Sequence, residues 1–155
     1  MGRPGGSRRG RRERGFVRGR VSDRKEEEVP LESIHTEGAP RAIGPYSQAV
    51  RAGDWLFLSG QVGVDPATGR LAEGGFGEEV RRALANLRAV LQAAGQDYGN
   101  LVRVTVYLTD LSRFPEMNRL YEEAFGEARP ARVTVGASAL PLGAQVEMEA
   151  VAVRV

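Results

Sequence analysis

Cysteine is absent from all 155 residues. That excludes a disulfide scaffold, a thiolate nucleophile and every thiolate metal site, and it suits a reducing compartment. Histidine occurs once, as His35, so no histidine cluster can hold a metal and a Ser-His-Asp triad would rest on that residue alone. Neither metal nor cofactor is expected. Long apolar runs are missing too: nothing approaches the roughly 20 residues that a membrane-spanning helix requires. No apolar secretory segment stands near the N-terminus. A cytoplasmic protein with no membrane partner is therefore expected.

What is present suits one globular domain, with 41% hydrophobic and 27% charged residues. The formal net charge of +2 conceals an uneven split. Residues 1–30 carry ten basic side chains against five acidic ones, a net of +5. The rest of the chain carries 12 basic and 15 acidic groups, a net of −3. A mildly acidic body is a poor electrostatic match for nucleic acid. Any such partner would have to be held by residues 1–30.

That basic head, "MGRPGGSRRGRRERGFVRGR", has little apolar content and no period, so residues 1–30 are expected to form a disordered N-terminal extension. Three readings stand beside one another: an arginine-rich tail for nucleic acid, an over-extended start in a gene rich in Arg, Gly and Pro codons, and a transit peptide, which the run Glu26-Glu27-Glu28 opposes. The domain proper spans 31–155.

Within it, "SQAVRAGDWLFLSGQ" predicts two strands around a Gly53-Asp54 turn, and "DPATG" (65–69) predicts another turn. The segment "GEEVRRALANLRAVLQAAG" predicts a helix. Val80, Ala83, Leu84, Leu87, Val90 and Leu91 form one stripe, Glu78 and Glu79 suit the N-terminal dipole, and Gly95 suits a stop. "LVRVTVYLT" (101–109) alternates as a half-buried strand, with Val102, Val104, Val106 and Leu108 on one side. A second helix is expected over about Pro115 to Phe125, with Met117, Leu120, Tyr121 and Ala124 inward. Two strands close the chain. The order predicts an α+β fold, a mixed sheet with two helices packed on one face. Its other face needs cover, and the last strand is apolar on both sides beyond Ala150, so an oligomer is expected.

The closing strands also carry charge. Period-two geometry puts Glu147 and Glu149 on one face of the last strand, and Arg132, Thr134 and Gly136 on one face of the strand before it. Charges in apolar strands cost free energy unless paired. Either Arg132 and a glutamate form a structural ion pair, or Arg132 is left free to grip an anion in fork geometry with a glutamate working beside it. Tyr46 in "AIGPYSQAV" and Ser59-Gly60 in "LFLSGQVGVDPATG" stand where glycine lets backbone approach a ligand closely. Trp55 reads as ordinary packing, His35 as a first-strand residue, and "GGFGEE" (74–79), lacking Gly-Lys-Ser/Thr, as a helix start and not a phosphate loop.

Together "IHTEGAPRAIGPYSQAV", "LFLSGQVGVDPATG", "VYLTDLSRFPEMNRLYEEAF" and "RPARVTVGASALPLGAQVEMEAVAV" resemble the Rid family of reactive-intermediate deaminases, also called the YjgF or L-PSP endoribonuclease family. The resemblance covers 34–155. It implies a chorismate-mutase-like fold, a homotrimer and active sites in clefts between subunits. It implies that Arg132 binds the substrate carboxylate, that Glu147 positions or activates water, and that Tyr46, Ser59, Gly60 and Asn118 line the pocket. Thr134 is a departure, because many active members carry Cys there. The implied reaction hydrolyses 2-imino acids, such as 2-iminobutyrate and 2-iminopropionate, to 2-keto acids and ammonia without a cofactor. Alternatives are a non-catalytic trimer that binds 2-keto acids or similar carboxylates, and an endoribonuclease or translation inhibitor.

Overall fold

Two apolar runs meeting at Gly53-Asp54 become strands β2 (Ala49–Ala52) and β3 (Trp55–Val62) in the computed structural model. The structure describes Gly2 and residues 28–155. Most of the expected N-terminal extension lies outside the described residues. Strand β1 (Leu31–Ile34) pairs with β2, and His35 follows it, exposed. The "DPATG" turn joins two short strands, β4 (Val64–Asp65) and β5 (Arg70–Leu71), with Asp65 Oδ1 accepting from Ala67 N–H at 2.8 Å.

Helix α1 (Phe76–Ala93) follows, with its predicted stripe fully buried and Gly95 beyond its end. Glu79 does more than face the helix dipole. It is buried, and its two oxygens accept from the Gln145 backbone N–H and side-chain amide, both at 2.8 Å. Strand β6 (Leu101–Leu108), helix α2 (Phe114–Phe125), β7 (Ala131–Gly136) and β8 (Val146–Val153) complete the order. Six strands form one sheet in the order β1-β2-β3-β8-β6-β7. Only β6 and β7 run parallel, because α2 crosses over between them, and the other pairs are antiparallel.

Both helices lie on one side of the sheet, as the alternation implied. Leu56, Leu58, Val104, Val106, Leu108, Val146 and Met148 all point into that layer and are buried. Among the described residues no helix lies on the opposite face. Trp55, Phe57 and Val133 stand on it with 46%, 50% and 46% of their surface exposed. The expected packing role of Trp55 is therefore not met among the described residues of one chain, because its strand register puts it opposite Val153 on the uncovered face.

Two bulges re-aim side chains. Between Leu101 and Arg103 the β6–β8 register slips, so Leu101 takes the inward place and Val102 turns out to solvent. The simple alternation over 102–108 fails at that residue alone. Between Leu58 and Gln61 the β3–β8 register slips again, and the irregular residues are Ser59 and Gly60.

Candidate functional site

The bulge of β3 makes room for Glu147. A Cβ on Gly60 would lie 2.1 Å from Glu147 Oε1, so only glycine leaves space for that carboxylate. Glu147, Gly60 and Tyr46 line one cavity of about 260 Å³, with Pro40, Ile43 and Leu142 forming much of its apolar wall. Burial first, then the neighbouring Glu149 carboxylate, push the Glu147 carboxyl above the usual carboxylate range. A group poised this way exchanges protons nearer neutrality than an ordinary glutamate.

Tyr46 stands in the loop before β2 and accepts from Ile43 N–H through its hydroxyl at 3.4 Å. That loop is held by buried Gln48. Its Oε1 accepts from Thr36 N–H at 2.7 Å, and its Nε2 donates to the carbonyls of Thr36, Ala39 and Pro40. Ser59 is near but committed: its hydroxyl donates to the Ser47 carbonyl at 2.6 Å.

Arg132 and Asn118 form a second cluster. Arg132 Nη2 donates to Asn118 Oδ1 at 2.7 Å, which α2 presents one turn before Tyr121. The guanidinium carbon lies 4.7 Å from the Tyr121 ring centroid and 5.6 Å from that of Phe114. Arg132, Asn118 and Tyr121 line a separate cavity of about 360 Å³ with Glu122, Phe125, Arg129 and Pro130. The Tyr121 hydroxyl is buried without a partner among the described residues. Burial pushes it up to about 12, against the opposing pull of Arg132. Thr134 shares the Arg132 face, and its hydroxyl is likewise buried without a partner among the described residues.

The structural Arg–Glu pair allowed by the sequence is not formed. Arg132 stands opposite Val104 on the helix-covered face, while Glu147 stands opposite Tyr107 on the uncovered one. The two polar faces read from strands consecutive in sequence, which β6 separates in the sheet, are thus opposite sides of it. Among the described residues Arg132 makes no ion pair. Its charge is braced only by an amide and two rings, which leaves its remaining donors for an anion. One chain therefore carries two separate clusters, a cation cluster and a carboxylate cavity.

Sequence reasoning missed part of the carboxylate cavity. Leu142 lines it with φ 60° and 60% of its surface exposed, a backbone region that costs a branched side chain about 1–2 kcal/mol. "PLG" announced only a turn. Gln48 gave no signal, because its partners are backbone carbonyls brought together by the loop.

The solved structure of Escherichia coli TdcF with bound serine matches this architecture. Its TM-score is 0.77 at 38% identity, over 80% of this chain and 99% of that one. The fold is thus that of the L-PSP/YjgF proteins. A sequence model of the family "Endoribonuclease L-PSP" matches residues 36–154, and the chain belongs to that family, the Rid family of the sequence motifs. A RutC family protein of Pyrococcus horikoshii is 48% identical over 121 residues, 78% of this chain and 96% of its own length. The 2-iminobutanoate/2-iminopropanoate deaminase of Mus musculus is 48% identical over 121 residues, 78% of this chain and 90% of its own length. No helix among the described residues is long and apolar enough to cross a membrane.

Proposed function

We propose that this protein is an imine deaminase that hydrolyses 2-imino acids, with 2-iminobutyrate and 2-iminopropionate as the first substrates to test. Residues 31–155 carry the activity. The site is completed between copies of the chain, arranged as a homotrimer: Arg132 and Asn118 of one copy face Tyr46, Gly60 and Glu147 of the next. The observation that carries this reading is Arg132, a cation bonded to Asn118 and stacked on rings instead of neutralised by a carboxylate. The deaminase name of the mouse relative supports it as well.

A protonated imine is already electrophilic, so the chemistry asks for a carboxylate clamp and a proton shuttle. Arg132 grips the substrate carboxylate. Ionised Glu147 takes a proton from water as the water oxygen bonds to C2, giving a carbinolamine. Glu147 returns that proton to the nitrogen. The C–N bond then breaks as the again ionised Glu147 takes the hydroxyl proton, releasing the 2-keto acid and ammonia, and that proton leaves with the ammonia as ammonium. Even a ~10³-fold acceleration needs only about 4 kcal/mol off the barrier.

The test generates the imine with an amino-acid oxidase or threonine dehydratase and follows its trapping by semicarbazide. The wild type is expected to suppress the trapped product. Arg132→Ala should lose about 10³-fold in kcat/KM while keeping its fold by circular dichroism. Unaltered trapping across several imino acids would overturn the reading. The bound serine of TdcF favours one second reading, a carboxylate-binding trimer without turnover. In that case keto-acid binding survives in an inactive wild type, and Glu147→Gln changes nothing.

A further inference from the structure

The uncovered sheet face is not uniformly apolar. Among Trp55, Phe57, Val133, Val151 and Val153 it carries a polar island of Arg103, Thr105, Tyr107 and Glu149. Thr105 stands directly opposite Glu149, which gives Glu149 two diagonal neighbours on β6: Arg103 on one side and Tyr107 on the other. The carboxylate takes the tyrosine. The Tyr107 hydroxyl donates to Glu149 Oε1 at 3.2 Å, and Arg103 is left without an ion pair among the described residues. Between them opens a depression of about 260 Å³ lined by Phe57, Arg103, Thr105, Glu149 and Val151.

We infer that a second copy of this chain closes this face through an ion pair between Arg103 of one copy and Glu149 of the next. The inference rests on the shared-site reading above and adds the contact that sets the register of the assembly. Exposed Trp55 and Phe57 call for a cover, yet any cover that seals them also desolvates Arg103. An unpaired buried charge is costly. An apolar partner offers no remedy, whereas a copy of the same surface brings its own carboxylate, already oriented by Tyr107. Linking cation to carboxylate from each copy to the next is a head-to-tail contact, the kind that closes a ring. Alternative registers strand the charges, so the pair selects one docking geometry.

Charge exchange tests this, with mass read by light scattering and native mass spectrometry. Arg103→Glu and Glu149→Arg should each weaken assembly about 100-fold or more, because each brings like charges together. The double exchange should restore it. Glu149→Gln, which keeps an acceptor for Tyr107, should weaken assembly less than Glu149→Arg and guards against simple misfolding. A wild type that assembles normally while the single exchanges leave it intact, or while the double exchange stays dissociated, overturns the pair alone. A monomeric wild type overturns both the pair and the shared site.

Discussion

The two faces of the sheet are built from similar residues and meet different surroundings. On the covered face Leu56, Leu58, Val104, Val106, Leu108 and Met148 are sealed beneath α1 and α2. On the other, Phe57, Val133, Val151 and Val153 are mixed with Arg103, Tyr107, Glu147 and Glu149 and have no cover among the described residues. The covered face is apolar over these residues, with buried Gln61 beside them opposite Met148 and Arg132 on its β7 edge, and it does the work of stability. The uncovered face holds the candidate proton shuttle at one end and the polar island in its middle. Apolar content alone does not distinguish them, because both faces alternate with the same period of two.

The largest effects should come from breaking the chemistry without touching either face's packing. Glu147→Gln is expected to lower kcat by about 10²- to 10⁴-fold with substrate binding retained, which equilibrium binding of a 2-keto acid would check. Gly60→Ala should act through the same group. Its new Cβ would meet Glu147 Oε1 at 2.1 Å, so the carboxylate must swing away. Activity should fall nearly as far while the thermal midpoint moves little.

Next come substitutions that set one face against the other. Leu87→Ala removes a fully buried side chain of α1 and should cost about 2–5 kcal/mol in denaturant unfolding. Phe57→Ala should change the unfolding free energy of the dissociated chain by only about 0.5 kcal/mol, yet weaken association in sedimentation. Equal losses at both positions would break the distinction between the faces.

The smallest effect is one of pH. The folded chain holds the Glu147 proton more tightly than the unfolded chain does, since burial and then Glu149 raise it above the ordinary value of 4.5. Ionising Glu147 therefore costs stability. The cost is absent below 4.5, grows as pH rises from there through the raised value, and is complete above it. Glu147→Gln should thus gain thermal midpoint over the wild type at pH 7, and the gain should vanish near pH 4. The acid limb of wild-type kcat/KM should lie above the usual carboxylate range and disappear in the variant.

Much of this fold was legible residue by residue. The stripe from Val80 to Leu91 gave α1, and the Gly53-Asp54 turn gave the β2–β3 hairpin. These are local signals, set by periodicity and by turn chemistry. Val102 was misread because a bulge is a property of two strands in register, and a single strand's alternation does not contain it. For the site, the motifs named Arg132, Glu147, Tyr46, Gly60 and Asn118, and the structure brings Arg132 to Asn118 and Glu147 to Gly60 and Tyr46. Leu142 and Gln48 escaped notice because their roles depend on loop geometry.

By itself the sequence determined the α+β order, the helix stripe and the family, because each depends on residues close together in the chain or on motifs read directly. Only the tertiary structure decided that Arg132 and Glu147 lie on opposite sides of one sheet. Parity along a strand says which residues share a face, but which face the helices cover is fixed by strand pairing and by the crossover of α2. Those depend on contacts distant in sequence, and they divide one set of motif residues into two separate clusters.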